Sequence, residues 1–291
     1  MSATQSVTTD STYDDGAKQR EFHFSSRDFS RIRDFIGEQT GIVLAEGKRD
    51  MVYSRLARRL RELKLERFSQ YLDRLEGDEQ ELGRFINALT TNLTAFFREP
   101  HHFDFVRREL LPALAADLGR TRLRAWSAGC SSGEEPYSLA ITLLESLPQD
   151  RNWDLRILAT DLDSDVVEKG RQGIYSEERV AGLPGARLRR WFRRGTGSRA
   201  GLVRVSPELQ EVLLFKQLNL LHEWPVKGPF DFIFCRNTVI YFDKSTQKVL
   251  FERFADLLVD GGHIFIGHSE SMFKVTDRFE SLGNTVYRKR C

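Results

Sequence analysis

The stretch Trp126-Ser127-Ala128-Gly129-Cys130-Ser131-Ser132-Gly133-Glu134-Glu135-Pro136-Tyr137-Ser138 predicts the fold of this chain. The apolar residues at and before its start indicate a short buried strand, and the residues after its two glycines favour a helix. A strand, a glycine-containing turn and a helix make the nucleotide-cofactor site of doubly wound α/β domains. Glycine lets the backbone approach a ligand closely because it has no Cβ. We therefore take Gly129 as a candidate cofactor contact.

The residues that follow the turn disfavour a phosphate-containing cofactor. Neither the Gly-Lys-Ser/Thr of a P-loop nor the three-glycine dinucleotide fingerprint is present. Glu134 and Glu135 stand at the start of the helix, where they would repel phosphate but suit hydroxyl or ammonium groups. S-adenosylmethionine fits this description. The alternative is an ordinary helix start, since the helix dipole alone favours acidic residues there. The sequence does not decide which of the two adjacent acids lies closer to a ligand.

Composition places the chain among globular proteins without a strong electrostatic bias. It has 291 residues and a net charge of +2, which gives no indication that it binds nucleic acid or a membrane surface. Its three cysteines show neither a disulfide framework nor zinc spacing, and its histidines lack metal-site spacing, so we predict no metal. Residues 1–21 are polar and have no signal-peptide core. We expect a disordered tail there, no direct membrane insertion and a cytoplasmic location.

The pattern of apolar residues divides the rest of the chain. Residues 22–89 have a helical pattern, with a first helix from the Ser25-Ser26 cap signals to near Gly41 and a second from about Lys48 to Lys64. Two further helices follow, the third starting at Phe68. Residues 90–100 mix polar and aromatic residues, as a docked linker would. We predict an all-helical N-terminal domain, a linker, and a second domain over residues 101–291.

The second domain alternates between strand-like and helix-like segments. A helix from about His101 to Leu118 comes first, and the alternation after it argues for a mostly parallel sheet. The strand-like segments are Leu123–Ser127, Leu155–Thr160, Val212–Leu218, Phe230–Cys235, His263–Gly267 and Thr285–Arg290. We expect Thr285–Arg290 to close the sheet edge. The arginine-rich segment at about residues 173–206 breaks the alternation, and we interpret it as a helix with a small β insertion.

Polar residues at the ends of these strands are candidates for a ligand site. Asp161 ends the second strand, where such folds bind the ribose hydroxyls of a nucleotide. It could instead cap the following helix, with Asp163 and Ser164 as rival caps. Arg236 and Asn237 end another buried strand and are expected at the same crevice. Tyr241 could reach that crevice or serve as a packing aromatic.

Four segments together resemble the chemotaxis receptor methyltransferases, the CheR family. These are Ala88–Glu99, Trp126–Ser138, Phe234–Asn237 with Tyr241-Phe242, and Gly267–Glu270. The resemblance runs from about Phe22 to the C-terminus. It implies a doubly wound, Rossmann-like methyltransferase domain of the α/β class with a small inserted β-subdomain, preceded by an all-helical domain. It also implies S-adenosylmethionine as cofactor, S-adenosylhomocysteine as product, and protein-glutamate O-methylation as the activity.

The resemblance also implies roles for individual residues. Asn92, Thr94 and Arg98 of the linker contact the cofactor, and Arg98 lies next to the transferring methyl group. Glu135 meets the methionine or ribose end. The remaining cofactor contacts are Asp161 at the ribose diol, Asn219 and Leu220 at the adenine, and Arg236 and Asn237 in the crevice. Arg98 and Tyr241 are the expected catalytic residues, which orient the acceptor carboxylate.

The implied acceptor needs little chemical help. A glutamate side chain has a pKa near 4.3 and is already an anion at neutral pH, so no general base is required. In this family the second helix binds the acidic methylation helices of the chemoreceptor cytoplasmic domain, which would involve Arg55, Arg58, Arg59 and Arg61; a solvated basic face is the alternative. The β insertion could bind a receptor C-terminal tail by strand addition. We expect a monomer that does not bind nucleic acid.

Three other functions remain compatible with the residues alone. A methyltransferase could act on another acceptor, and a non-catalytic module could sense the cofactor product. The presence of Asn92, Arg98 and Tyr241 argues against a sensor. A dehydrogenase is disfavoured by the missing third glycine and by the acids at the helix start.

Overall fold

A bundle of four helices forms the N-terminal part of the protein. The computed structural model describes residues 20–290, so nearly all of the predicted tail lies outside the described residues. The helices are α1 (Ser26–Thr40), α2 (Arg49–Leu63), α3 (Phe68–Leu75) and α4 (Glu79–Leu89). Ser25 caps α1 by accepting from the Asp28 N–H, and Gly41 ends it with φ 71°, as its sequence signals predict. Each helix buries one apolar face in a shared core.

A bent helical segment leads from the linker to the sheet. It consists of α5 (Pro100–Phe105), a π turn (Val106–Leu110) and α6 (Leu111–Ala115). The predicted end at Leu118 is therefore three residues too late. Pro112 lacks the N–H that would bond to the carbonyl four residues earlier, which accounts for a wider turn just before it.

The second part of the chain alternates strands and helices as its sequence predicts. In chain order the elements are β1 (Arg122–Ala128), α7 (Glu134–Ser146), β2 (Asp154–Asp161), α8 (Ser164–Gln172), β3 (Ile174–Ser176), α9 (Glu177–Val180), α10 (Gly185–Trp191), β4 (Phe192–Arg194), β5 (Leu202–Val205), α11 (Pro207–Glu211), β6 (Leu213–Gln217), β7 (Phe230–Cys235), α12 (Lys244–Leu257), β8 (Leu258–Ile266), β9 (Phe279–Gly283) and β10 (Val286–Lys289).

Seven of these strands form one sheet in the order β6-β2-β1-β7-β8-β10-β9. The five strands from β6 to β8 are parallel, whereas β10 runs antiparallel to both of its neighbours. The prediction that the last strand closes the edge is wrong, because β9 pairs outside β10. The strand order reverses between β1 and β7, which is where open α/β sheets bind ligands at their carboxyl ends. The predicted doubly wound fold class is confirmed.

A second, three-stranded sheet projects from this domain within the predicted insertion. Its order is β3-β5-β4 and both pairings are antiparallel. The central strand β5 buries Val203 and Val205, and the edge strand β4 buries Phe192. No helix within residues 20–290 is both long enough and apolar enough to cross a membrane.

Candidate active site

A cavity of about 450 Å³ lies at the carboxyl ends of β1, β2 and β7. The linker and the helical bundle cover it from the other side, so both parts of the chain form its wall. The cavity is lined by all the cofactor-binding and catalytic residues that the sequence predicts. These are Asn92, Thr94, Arg98, Gly129, Glu135, Asp161, Asn219, Leu220, Arg236, Asn237 and Tyr241.

Gly129 allows the loop after β7 to pack against the loop after β1. Its φ of +96° disfavours any other residue, and a Cβ at this position would lie 2.1 Å from Thr238 Oγ1. The glycine is therefore required for close approach of two loops that both line the cavity. Its role is to shape the wall from which a ligand is contacted.

Of the two adjacent acids that begin α7, Glu135 lines the cavity. Its carboxylate accepts from Ser127 Oγ at 2.8 Å and pairs with Arg236 at 3.1 Å. Burial raises the pKa of Glu135, although the nearby guanidinium opposes this shift. Glu134 points elsewhere, accepting from Ser132 Oγ at 2.7 Å and lying outside the cavity. The choice between the acids, which the sequence leaves open, thus falls on Glu135.

Asp161 does not cap the helix that follows it. Asp163 is the cap of α8, because its carboxylate accepts from the backbone N–H groups of Asp165 and Val166. Asp161 instead accepts from the backbone N–H of Ser131 at 2.7 Å, across the turn after β1. Burial raises the pKa of Asp161 to about 6. Its other oxygen accepts from the backbone N–H of Asp163 at 3.0 Å, so each oxygen keeps a lone pair that suits a hydroxyl at the cavity.

The linker is bound to the sheet domain through Asp163, which sequence reasoning considered only as a cap. Thr90 Oγ1 and Asn92 Nδ2 donate to the same carboxylate oxygen at 2.8 and 2.6 Å. In addition, Ser131 Oγ donates to the Asn92 carbonyl at 3.0 Å. These bonds fix the start of the linker over the cavity. The Asn92 amide nitrogen is thereby committed to the protein.

The end of the linker is held by Glu99 and Arg236. Arg236 Nη2 donates to the Arg98 carbonyl at 2.5 Å and lies 3.3 Å from Glu99. His268 bonds to the other Glu99 oxygen at 2.9 Å. Burial alone would raise the pKa of Glu99, but His268 and Arg236 outweigh it and lower the pKa to about 2. Sequence patterns do not reveal this role of Glu99 in holding the linker, because its partners Arg236 and His268 are distant in the chain.

Glu99 also belongs to a group that could accept a cation by distance alone. Its ligand atoms and those of His101 and His102 all lie within 4.8 Å of one another. However, the Arg236 guanidinium at 3.3 Å already neutralises this carboxylate and would repel a metal ion. This geometry therefore favours the prediction that the site binds no metal ion.

Glu270 fixes the loop after β7 and was not among the predicted site residues. Its Oε2 accepts from the backbone N–H groups of Asn237 at 2.9 Å and Gly267 at 2.5 Å, and its Oε1 accepts from Ile240 at 3.1 Å. Because Tyr241 follows directly, this carboxylate sets the position of a candidate catalytic residue. Its place in the Gly267–Glu270 motif was the available sequence signal.

The helical bundle supplies a part of the cavity wall that sequence reasoning missed. Its lining residues are Thr40, Ile42, Val43, Leu44, Ala45, Lys48, Met51 and Leu89. Hydrogen bonds join this side of the bundle to the sheet domain. The Val43 N–H donates to the Tyr241 carbonyl at 2.9 Å, and Asn219 Nδ2 donates to the Gln39 carbonyl at 2.9 Å. The Asn219 side chain is thus engaged in closing the cavity.

The four arginines predicted for substrate docking do not form one free basic face. Arg59 is 12% exposed and binds the buried Glu81 through two nitrogens. Arg55 donates to the carbonyls of Ala88 and Thr90 and so supports the linker. Only Arg58 and Arg61 are largely exposed, at 73% and 54% of the side chain. The exposed basic surface of α2 is therefore smaller than predicted.

The ionisable groups at the cavity suit binding and orientation better than proton transfer. Within residues 20–290, the cavity lining contains neither histidine nor cysteine. Burial raises the pKa of Tyr241, so its hydroxyl stays protonated and can donate a hydrogen bond. Asp161 and Glu135 offer anionic acceptors for hydroxyl and ammonium groups. The donor set and the volume fit S-adenosylmethionine, whose positively charged sulfonium would supply an activated methyl group.

Comparison with known proteins identifies a family for both parts of the chain. Residues 27–90 match the family model described as the CheR methyltransferase all-alpha domain, and residues 92–288 match the CheR methyltransferase SAM-binding domain. A chemotaxis protein methyltransferase of Pseudomonas aeruginosa is 47% identical over 92% of this chain and 95% of its own length. One from Escherichia coli is 48% identical over 90% of this chain and 91% of its own.

Proposed function

Because this chain belongs to the CheR methyltransferase family and is an S-adenosylmethionine-dependent methyltransferase, we propose that it methylates glutamate side chains of chemoreceptors. The names of its relatives support a chemotaxis substrate. The chemistry of the cavity supports the ester-forming reaction on glutamate.

The observation that carries this proposal is that the cavity lining within the described residues has no histidine or cysteine, and that its two acids are already bonded, Glu135 to Arg236 and Asp161 to backbone N–H groups. An amine or alcohol acceptor must lose a proton to react, whereas a carboxylate is already a nucleophilic anion at neutral pH. The candidate catalytic residues Arg98 and Tyr241 are a cation and a protonated phenol. Both can donate hydrogen bonds to a carboxylate, and neither is suited to removing a proton. Catalysis then rests on positioning and on the exclusion of water.

The protein positions these two residues through their backbone carbonyls and, for Arg98, also through its guanidinium. Arg236 holds the Arg98 carbonyl, and Arg98 Nη1 donates to the Leu93 carbonyl at 2.9 Å. Val43 holds the Tyr241 carbonyl from the opposite wall. In the proposed reaction, Arg98 and Tyr241 orient the acceptor carboxylate. Asp161, Glu135, Asn92, Thr94, Gly129, Asn219, Leu220, Arg236 and Asn237 surround the cofactor.

Two surfaces are proposed to bind the receptor outside the cavity. Arg58 and Arg61 are exposed on α2, where they pair with Glu62 and Glu21, and they would exchange these partners for an acidic receptor helix. Arg55 lies where α2 meets the linker. The β insertion would bind a receptor tail at an edge strand, either β3 or β4, since β5 is paired on both sides. We further propose that the protein acts as a monomer in the cytoplasm.

The proposal is tested with labelled S-adenosylmethionine and a purified chemoreceptor cytoplasmic fragment. After the reaction the receptor is treated with mild base, and volatile labelled methanol is counted. Label that is transferred to the receptor and released by base establishes a glutamate ester. Label that stays on the receptor after base, or no transfer despite binding of S-adenosylhomocysteine, would contradict the proposal. Replacing the labelled glutamates by glutamine is the matched control and should abolish transfer.

A further inference from the structure

Three of the apolar side chains that line the cavity are exposed to solvent and so lie at its mouth. Val43 is 59% exposed, Leu93 78% and Ile240 48%, and all three line the cavity. They come from the helical bundle, the linker and the loop after β7, which are far apart in sequence. A single exposed leucine is ordinary on a protein surface, but a cluster of apolar side chains beside a ligand site marks a contact surface.

The backbones of Val43 and Leu93 are hydrogen-bonded to the candidate catalytic residues, and Ile240 is next to one of them in the sequence. The Leu93 carbonyl accepts from Arg98, and the Val43 N–H donates to the Tyr241 carbonyl. Ile240 directly precedes Tyr241, and Glu270 holds its backbone N–H. Their side chains are therefore held at the mouth beside the groups that would orient the acceptor. We name Val43, Leu93 and Ile240 the apolar rim.

We propose that the apolar rim binds apolar side chains that flank the methylated glutamate in the protein acceptor. This inference rests on the proposed function, which places the acceptor carboxylate at Arg98 and Tyr241. The charges at the cavity identify the occupant further. Lys48 and Arg98 also line it, so the mouth combines cationic and apolar contacts. That combination matches a segment in which an acidic side chain has apolar neighbours.

A helical acceptor would satisfy this requirement directly. Side chains three and four positions from a glutamate lie on the same face of a helix. When the glutamate enters the cavity, those neighbours reach the rim. Removal of their apolar surface from water then adds affinity for the acceptor without touching the cofactor. The rim thus selects glutamates by their sequence context, which a carboxylate-binding residue alone cannot do.

The test measures methyl transfer to the purified chemoreceptor fragment by Leu93→Ser and Ile240→Ser. Both positions are exposed, so the variants should fold. We expect kcat/KM for the fragment to fall about tenfold for each, equivalent to about 1.4 kcal/mol, with the change in KM rather than kcat. The dissociation constant of S-adenosylhomocysteine should stay within twofold of wild type. Leu118→Ser is the matched control, because Leu118 is 80% exposed but precedes the amino-terminal end of β1, whereas the cavity lies at the carboxyl ends of the strands.

A second measurement separates rim binding from an indirect effect. The apolar residues three and four positions from a methylated glutamate in the fragment are changed to serine. If the rim contacts them, the Leu93→Ser enzyme and wild type should methylate this altered fragment about equally well. The inference is overturned if kcat/KM of the rim variants matches that of Leu118→Ser, or if S-adenosylhomocysteine binding weakens as much as kcat/KM. Absence of base-labile transfer by wild type would instead count against the proposed function.

Discussion

Replacing Glu270 should disrupt the candidate active site although this residue lies outside the cavity lining. Its side chain is 6% exposed and accepts three backbone hydrogen bonds, from Asn237, Ile240 and Gly267. In Glu270→Ala these three N–H groups lose their acceptor. The loop that carries Arg236, Asn237 and Tyr241 would then be free to move. We therefore expect both folding stability and cofactor affinity to fall.

The size of the effect follows from the number of lost bonds. Each buried N–H left without a partner costs about 1–3 kcal/mol. Three such groups would cost roughly 3–9 kcal/mol, but water entering beside a shifted loop reduces this, so we expect about 3–5 kcal/mol for Glu270→Ala. Burial raises the pKa of Glu270 and so disfavours its charged form. The native protein therefore gains less from this carboxylate, which also favours a loss at the lower end of the range of roughly 3–9 kcal/mol.

Glu270→Gln provides a graded comparison. Its single carbonyl oxygen can replace Oε2 and retain the bonds to Asn237 and Gly267, while its NH₂ group faces the Ile240 N–H without bonding to it. We expect a cost of about 1–3 kcal/mol for this one unsatisfied group. The two variants should therefore differ by about the value of two hydrogen bonds.

The assay combines urea unfolding with titration of S-adenosylhomocysteine and methyl transfer. Glu109→Ala, at an exposed glutamate of the bent helical segment, is the control and should change the unfolding free energy by less than about 0.5 kcal/mol. The reasoning is refuted if the free energy of unfolding of Glu270→Ala lies within about 1 kcal/mol of the wild-type value and its affinity for S-adenosylhomocysteine is unchanged. If the alanine and glutamine variants lost equal amounts of unfolding free energy, the inference that glutamine keeps two of the three hydrogen bonds would be refuted.

Three further changes test other parts of the structure. Gly129→Ala should weaken S-adenosylhomocysteine binding more than tenfold in a calorimetric titration, because its methyl group would displace Thr238; unchanged affinity would contradict this. Arg59→Ala should destabilise the protein by about 2 kcal/mol in urea, because it removes two charge-assisted hydrogen bonds from the buried Glu81 and leaves it with Tyr71 and Arg84, whereas Arg58→Ala should leave stability unchanged and raise only KM for the receptor. Glu99, whose pKa is lowered to about 2, should contribute up to about 3 kcal/mol of stability above pH 4.5, which is lost as the pH falls towards 2; Glu99→Gln should flatten acid unfolding curves in that range.

Local sequence patterns were sufficient for most of the fold. The alternation of apolar segments located the parallel strands to within one or two residues for β1, β2, β6 and β7, since a buried strand and an amphipathic helix each have a characteristic period. The start of β8 was missed by five residues, because Asp260, Gly261 and Gly262 interrupt its apolar pattern. β9 went unrecognised because its exposed edge needs few apolar side chains.

The candidate site shows where such patterns lose information. Asp161 was recognised by its position at the end of a strand, and the structure removed the capping alternative by placing Asp163 at the cap. Arg59 was assigned to an exposed basic face because helical spacing placed it near that face. Its burial depends on Glu81 of another helix, and helical spacing carries no information about a partner 22 residues away.

The sequence by itself determined the order of helices and strands, the glycine turn after β1 and the motifs that indicate a methyltransferase. These are properties of consecutive residues, which share a backbone and a periodic environment. Only the tertiary structure decided that Glu135 rather than Glu134 lines the cavity, that Glu270 holds the Tyr241 loop, and that the rim assembles from three distant segments. Those features arise from contacts between residues that are brought together by packing, and packing depends on the whole chain.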